Sequence, residues 1–148
     1  MLSKIIYASR ASRALAAAEL ESLLRVCNNN NRALDVTGLL VYCDGSFLQL
    51  LEGEGEVLDG LYDRIRVDDR HDGLRLLTRG ALTRRRFAEW SMAFEHVDAE
   101  RLADLLPGYR TPVDAPLVDA GLIHNGAMAD ALLGRFQRRG APGAGYAV

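Results

Sequence analysis

The chain has 148 residues, 49% hydrophobic and 26% charged, a size and composition that fit one globular domain and exclude a disordered or fibrous chain. Eighteen basic against twenty acidic residues leave a formal charge of −2, which argues against a strongly basic nucleic-acid binder. There is no signal-peptide layout over residues 1–12 and no apolar run of about 18 residues, and Cys27 and Cys43 cannot build a disulfide framework. A cytoplasmic domain outside the membrane, with no effector domain attached, is the expectation.

In chain order, Lys4-Ile5-Ile6-Tyr7-Ala8-Ser9 reads as a short strand, rich in β-branched and aromatic residues. A helix is predicted over about residues 15–28, where Leu20, Leu23, Leu24 and Cys27 fall at i, i+3, i+4 and i+7. The run Asn28-Asn29-Asn30-Asn31 suits a C-terminal cap and loop. Strand-like runs at 37–43 and 46–51 flank Asp44-Gly45, a hairpin dipeptide because a type I′ turn needs positive φ at both central positions. From Glu56 to about Val67 the helical stripe returns in Leu58, Leu61, Tyr62 and Ile65. A turn at His71-Asp72-Gly73 is expected to precede a fourth strand over 74–83. After the basic connector Arg84-Arg85-Arg86-Phe87, a fifth strand is read over 90–96.

That order predicts an α+β fold: a ferredoxin-like βαββαβ sandwich with an added fifth strand and two helices on one sheet face. Residues 98–106 and 128–138 read as C-terminal helices that would cover the second face, and the Gly/Ala/Pro-rich stretch after Gly140 reads as a frayed tail.

The usual catalytic constellations are missing. The sequence has no Gly-rich phosphate loop, Cys-x-x-Cys pair or nucleophile elbow, and His71, His96 and His124 lack metal-ligand spacing. What remains is a polar and aromatic set that the fold would gather: Tyr7, Asn30, Asn31, Gln49, Trp90 and Met92. Gln49 is the most telling, because it interrupts Phe47-Leu48-Gln49-Leu50-Leu51, and a buried amide without a partner costs roughly 1–3 kcal/mol. Taken singly, Tyr7, Trp90 and Met92 read as core, and the asparagines read as a helix-ending loop.

Five stretches in register go further. Ile5-Ile6-Tyr7-Ala8-Ser9, Asn31-Arg32-Ala33 leading to Thr37-Gly38-Leu39-Leu40, and Gly45-Ser46-Phe47-Leu48-Gln49-Leu50-Leu51-Glu52-Gly53 come first. Asp68-Asp69-Arg70-His71 and Arg85-Arg86-Phe87-Ala88-Glu89-Trp90-Ser91-Met92 follow. Together they resemble the BLUF domains, blue-light sensors that use FAD, over about residues 2–96.

The resemblance implies that Tyr7 is the photo-oxidisable tyrosine and Gln49 the glutamine that rotates or tautomerises. It implies that Asn31, with Asn30 beside it, hydrogen-bonds the polar edge of the flavin ring, with Arg32 a further candidate there. Trp90 and Met92 would be alternative neighbours of Gln49. Asp68, Arg70 and His71 would lie near the ribityl chain and phosphate, and Leu23 and Ile65 would pack on the ring faces. Cys27 stands where the family often has a small hydroxyl residue.

The residue chemistry is coherent with this. A flat ring with a polar edge needs apolar walls and a few fixed polar groups, and asparagine and glutamine each carry a donor and an acceptor. The implied cofactor is FAD, with FMN or riboflavin as substitutes, and the implied protein is a sensor rather than an enzyme. Residues 1–97 would form the flavin-binding sensor and 98–148 a helical cap and tail. Output would pass to a separate downstream signalling protein, and a homo-oligomer stays open. Two other classes compete: a cofactor-free interaction module, and an acylphosphatase-like hydrolase, which Ser9-Arg10-Ala11-Ser12-Arg13 disfavours because it lacks a Gly-rich cradle.

Overall fold

The computed structural model of the chain describes residues 1–12, 15–43, 45–89 and 91–97. The elements are β1 (Leu2–Ala11), α1 (Ala17–Ala33), β2 (Thr37–Cys43), β3 (Ser46–Glu54), α2 (Gly55–Arg66), β4 (His71–Ala81) and β5 (Ala93–Val97). They form one mixed five-stranded sheet in the order β4-β1-β3-β2-β5. The first four strands pair antiparallel, and β5 joins the edge of β2 in parallel. This is the ferredoxin-like order expected, with the added strand at one edge. The C-terminal helices expected at 98–106 and 128–138 lie outside the described residues.

Alternation along the strands divides the sheet into two faces. Ile5, Tyr7, Leu40, Tyr42, Phe47 and Leu51 pack with Leu20 and Leu24 of α1 and Leu58 and Leu61 of α2 in one core. Their neighbours Ile6, Ala8, Leu39, Val41, Leu48 and Leu50 point to the other face and are also buried. The hairpin between β2 and β3 has Gly45 at φ +82°, the positive angle that its turn requires.

The structure departs from the sequence reading in three places. First, α1 does not stop at Asn28 but carries the whole asparagine run in its last turns, to Ala33. Its buried stripe runs Leu20, Leu24, Asn28, Asn31 at helical spacing, so the helix face continues in polar residues. The asparagines' tertiary hydrogen bonds, described below, override their local preference for a loop. Arg32 is therefore also helical. The helix ends at Ala33 with Leu34 as its cap, and Asp35 just beyond takes φ 55°, a left-handed conformation that aspartate tolerates better than most residues.

Second, His71-Asp72-Gly73 is not a turn but the start of β4, with Ala11 opposite His71 and Arg10 opposite Asp72. The register then shifts between Ala8 and Arg10, and Gly73 there has φ 61°, so this glycine serves a bulge. Third, β5 starts at Ala93, so Met92 precedes the strand rather than lying in it.

The basic connector before β5 is anchored on a buried carboxylate. Glu52 is fully buried, and its oxygens accept the backbone N–H of Arg86 at 2.7 Å and of Phe87 at 2.8 Å. Arg85 donates to Thr37 Oγ1 at 3.0 Å, to the Glu52 carbonyl at 3.1 Å and to the Asp35 carbonyl at 2.7 Å. A segment without regular structure thus gains fixed partners for its backbone, as buried N–H groups require.

Candidate functional site

Between α1, α2 and the sheet lies a cleft of about 840 Å³, counting the solvent at its mouth. Leu23 and Val26 of α1 form one wall, and Leu61 and Ile65 of α2 form the other. Tyr7, Gln49 and Leu51 contribute the floor, and Asn30, Asn31, Arg64, Asp68 and Arg70 bring polar groups. The amphipathic stripes of the two helices make this arrangement: they seat Leu24 and Leu58 in the core and leave the flanking Leu23 and Ile65 half-buried at the cleft.

Tyr7 and Gln49 are opposite each other in the β1–β3 register, which brings two floor side chains together across strands. The Tyr7 hydroxyl donates to Gln49 Oε1. From its other end, Gln49 Nε2 donates to Met92 Sδ at 3.3 Å. All three side chains are buried. Burial pushes the Tyr7 phenol well above its ordinary value, with the Cys27 thiol, Tyr62 and Asp68 adding to the effect, so the phenol stays protonated. The Tyr62 ring meets it edge-on, with centroids 6.1 Å apart.

The end of α1 supplies the next shell of polar contacts. Ser91 Oγ donates to Asn28 Oδ1 at 2.8 Å, and Asn31 Nδ2 donates to the Ser91 carbonyl at 2.9 Å. At the mouth, the Arg70 guanidinium closes on the Asp68 carboxylate at 2.6 Å, so much of its charge is already matched. Cys27 lines the cleft with its thiol pushed up to about 11, burial being the main cause, the Arg70 charge opposing it and Asp68 adding.

Of the residues singled out in the sequence, Tyr7, Leu23, Asn30, Asn31, Gln49, Ile65, Asp68 and Arg70 line this one cleft. Met92 reaches it through Gln49. Arg32 is exposed in the last turn of α1 and is not among the lining residues. His71 opens β4, and neither its side chain nor Trp90 falls within the described structure. The sequence reading overlooked Arg64 and Val26, which flank the apolar stripes of α2 and α1. Position relative to Leu61 and Leu23 was the available signal. It also overlooked Ser91, which stands between Trp90 and Met92 in the last matching stretch but was given no role of its own.

A family model described as BLUF, sensors of blue-light using FAD, matches residues 2–93. The chain belongs to this family. The match covers β1 through the first residue of β5, and thus every element that builds the cleft. The BLUF domain here is similar to subunit beta of the photoactivated adenylate cyclase of Euglena longa, at 36% identity over 80 residues, 54% of this chain and 9% of that protein. The chain thus spans about a tenth of the length of such curated relatives. Among solved structures, it resembles the dark state of BlrB, a BLUF protein, at 29% identity and a TM-score of 0.65, covering 87% of this chain and 96% of that one. It also resembles Klebsiella pneumoniae BlrP1 with FMN and cyclic diGMP, at 31% identity and a TM-score of 0.61, covering 65% of this chain and 26% of that one. BLUF domains are sensors rather than enzymes. Among the described residues no group of His, Cys, Asp or Glu could hold a metal ion, and no helix is long and apolar enough to cross a membrane.

Proposed function

We propose that this chain is a blue-light photoreceptor that binds FAD non-covalently in the α1–α2 cleft and signals through the hydrogen bonds of Gln49. The observation that carries the reading is the linear arrangement Tyr7–Gln49–Met92 at the cleft floor, a donor–acceptor chain running through one amide. The cleft suits the cofactor in shape and chemistry. Its apolar walls match the ring faces, and Asn31, with Nδ2 committed to Ser91, can still accept through Oδ1 from a ring N–H. Arg64 lines the cleft and pairs with no carboxylate among the described residues, whereas Arg70 is paired with Asp68, so Arg64 is the better partner for a flavin phosphate. A relative of 31% identity was solved with FMN, which shares the ring and first phosphate with FAD.

Bound flavin supplies the blue-light absorption and an electron-accepting ring. The protein's part follows from its own groups. Tyr7 is held neutral, so it can give up an electron together with its phenolic proton, and Gln49 Oε1 is the first acceptor on that proton's route. Gln49 carries a donor and an acceptor on nearly equivalent ends, so rotation or tautomerisation of its amide exchanges hydrogen bonds with almost no change in shape. Met92 adjoins β5, the edge strand beside β2, which carries the change from the cleft floor to the sheet edge. We assign residues 1–97 to the sensor and 98–148 to a cap and tail that pass the signal to a partner protein. One named relative is a subunit of a photoactivated adenylate cyclase, which supports coupling of such a sensor to an output activity.

The test is a light-minus-dark absorption spectrum of the purified chain supplied with FAD. The expected result is a reversible red shift of a few nanometres without bleaching, absent from Gln49→Leu protein that retains flavin. A chain that stays colourless after FAD is added, or one whose Gln49→Leu form still gives the shifted product, overturns the reading.

A further inference from the structure

Side-chain hydrogen bonds hold the stretch between β4 and β5, and three sets stand out among the described residues. Two of them, the Arg85 contacts to Asp35 and Thr37 and the Glu52 carboxylate on the Arg86 and Phe87 backbone, involve no cleft-lining residue. The third holds Ser91 from both sides: its hydroxyl on Asn28 at 2.8 Å, its carbonyl under Asn31 at 2.9 Å. Asn28 and Asn31 are three apart on α1, so their amides share a face and reach the same residue. They are 5% and 3% exposed, so water does not compete well for either amide.

Ser91 is also the residue before Met92, and consecutive Cα atoms are about 3.8 Å apart. A pinned Ser91 therefore fixes where the Met92 side chain begins, and that side chain, fully buried, sits on Gln49 Nε2. A thioether accepts hydrogen bonds and cannot donate them. Met92 is thus a partner for Gln49 only while Nε2 faces it. If the amide turns so that oxygen faces sulfur, neither atom can donate, and a pinned Ser91 prevents the backbone from carrying the sulfur away. The pinned thioether favours the arrangement in which Nε2 faces it.

We propose that the Ser91–Asn28 hydrogen bond is a latch that positions Met92 against Gln49 and sets how fast the illuminated protein returns to its dark arrangement, an inference that rests on the flavin reading above. Ser91 and Asn28 are positioning residues that act through Met92, and neither lines the cleft. With the latch in place the dark arrangement is favoured, and return to it is fast. Without it, Met92 can shift away from an altered Gln49, and return slows.

The experiment compares the full chain loaded with FAD as wild type, S91A, S91T, N28A and the S91A/N28A double variant. It follows thermal decay of the red-shifted spectrum and, in the flavin-free proteins, hydrogen exchange at the Met92 amide. S91A is expected to recover about three- to fivefold more slowly, within what a single neutral hydrogen bond supplies. S91T, which keeps the hydroxyl, should recover like wild type, and the double variant like either single variant because all remove the same bond. Exchange at Met92 should be several-fold faster in flavin-free S91A than in flavin-free wild type. Recovery of S91A within about 1.5-fold of wild type, faster recovery, or additive effects in the double variant would overturn the latch. A wild-type protein that gives no red shift fails the flavin reading instead, whereas a normal wild-type shift with an unchanged S91A fails the latch alone.

Discussion

Gln49 gives each end of its amide a partner of different strength, a phenol for the oxygen and a thioether for the nitrogen. A sulfur acceptor binds weakly, so the nitrogen end is the one that exchanges most easily, and the buried setting raises the stakes of each exchange. Cys27, beside them in the cleft, makes a different residue-scale contribution. Its thiol releases its proton near pH 9 in the unfolded chain but only near 11 in the folded one, because burial disfavours the thiolate. The folded state therefore binds that proton more tightly, so the stability contribution is complete below about pH 9 and is lost as pH rises towards 11. Urea midpoints measured from pH 8 to 11 should fall across this window, and fall less in Cys27→Ala. Identical slopes in the two proteins would contradict the burial of the thiol. Tyr7 adds to the decline in both proteins at the alkaline end, which is why the difference between them is the informative quantity. At this scale, Gln49 was legible because a polar residue breaks an apolar run, whereas its pairing with Tyr7 emerged only from the resemblance or from the strand register. Arg64 had only its place beside Leu61 to mark it and Ser91 only its place in a matching stretch, since an arginine on a helix and a serine in a connector look the same whether or not they face a site.

The elements from β1 to β5 were read correctly in type and order, but their ends were not. Residues such as asparagine and glycine signal loops when their own backbone is considered alone, and tertiary contacts reverse that signal. In α1 the asparagine run stays helical because Asn28 and Asn31 find partners at Ser91. In β4 Gly73 serves a bulge that lets His71 and Asp72 pair with β1. Gly38 in β2 shows the opposite case, where a glycine is needed for proximity rather than for a turn. A Cβ built there would collide with the Leu50 carbonyl oxygen and lie 3.3 Å from the Leu51 Cα, both on β3. Neither atom belongs to a flexible side chain, so the strands would have to separate. Because β3 carries Gln49, any such separation also moves the cleft floor. Gly38→Ala should therefore lower stability by about 3 kcal/mol, at the upper end of overpacking costs, and weaken flavin retention as well. Denaturant unfolding followed by flavin titration checks both. A loss under about 0.5 kcal/mol would mean that β2 and β3 tolerate a wider spacing than the register implies.

Across the whole molecule, the two faces of the sheet pose unequal problems. One is covered by α1 and α2, and the cleft opens in that layer. The other presents Ile6, Leu39, Val41, Leu48 and Leu50, each with essentially no exposed surface, although both described helices lie on the opposite side. Burying a large aliphatic side chain contributes roughly 1.5–3 kcal/mol, so these five together account for about 10 kcal/mol. A domain's entire net stability is about 5–15 kcal/mol, so the face cannot be left to water without unfolding the sheet or driving it to associate. The proposal that residues 98–148 form the cap follows from that magnitude, and it makes the cap part of the sensor's stability as well as its route of output. A chain ending at Val97 should bind an apolar dye strongly, self-associate, or melt at least 10 °C below the full-length protein. The full chain should do none of these under the same conditions. A truncated protein that stays monomeric, leaves the dye dark and melts within a few degrees of the full chain would show that the second face is covered by the connector around Phe87, and would separate the cap from the stability of the fold.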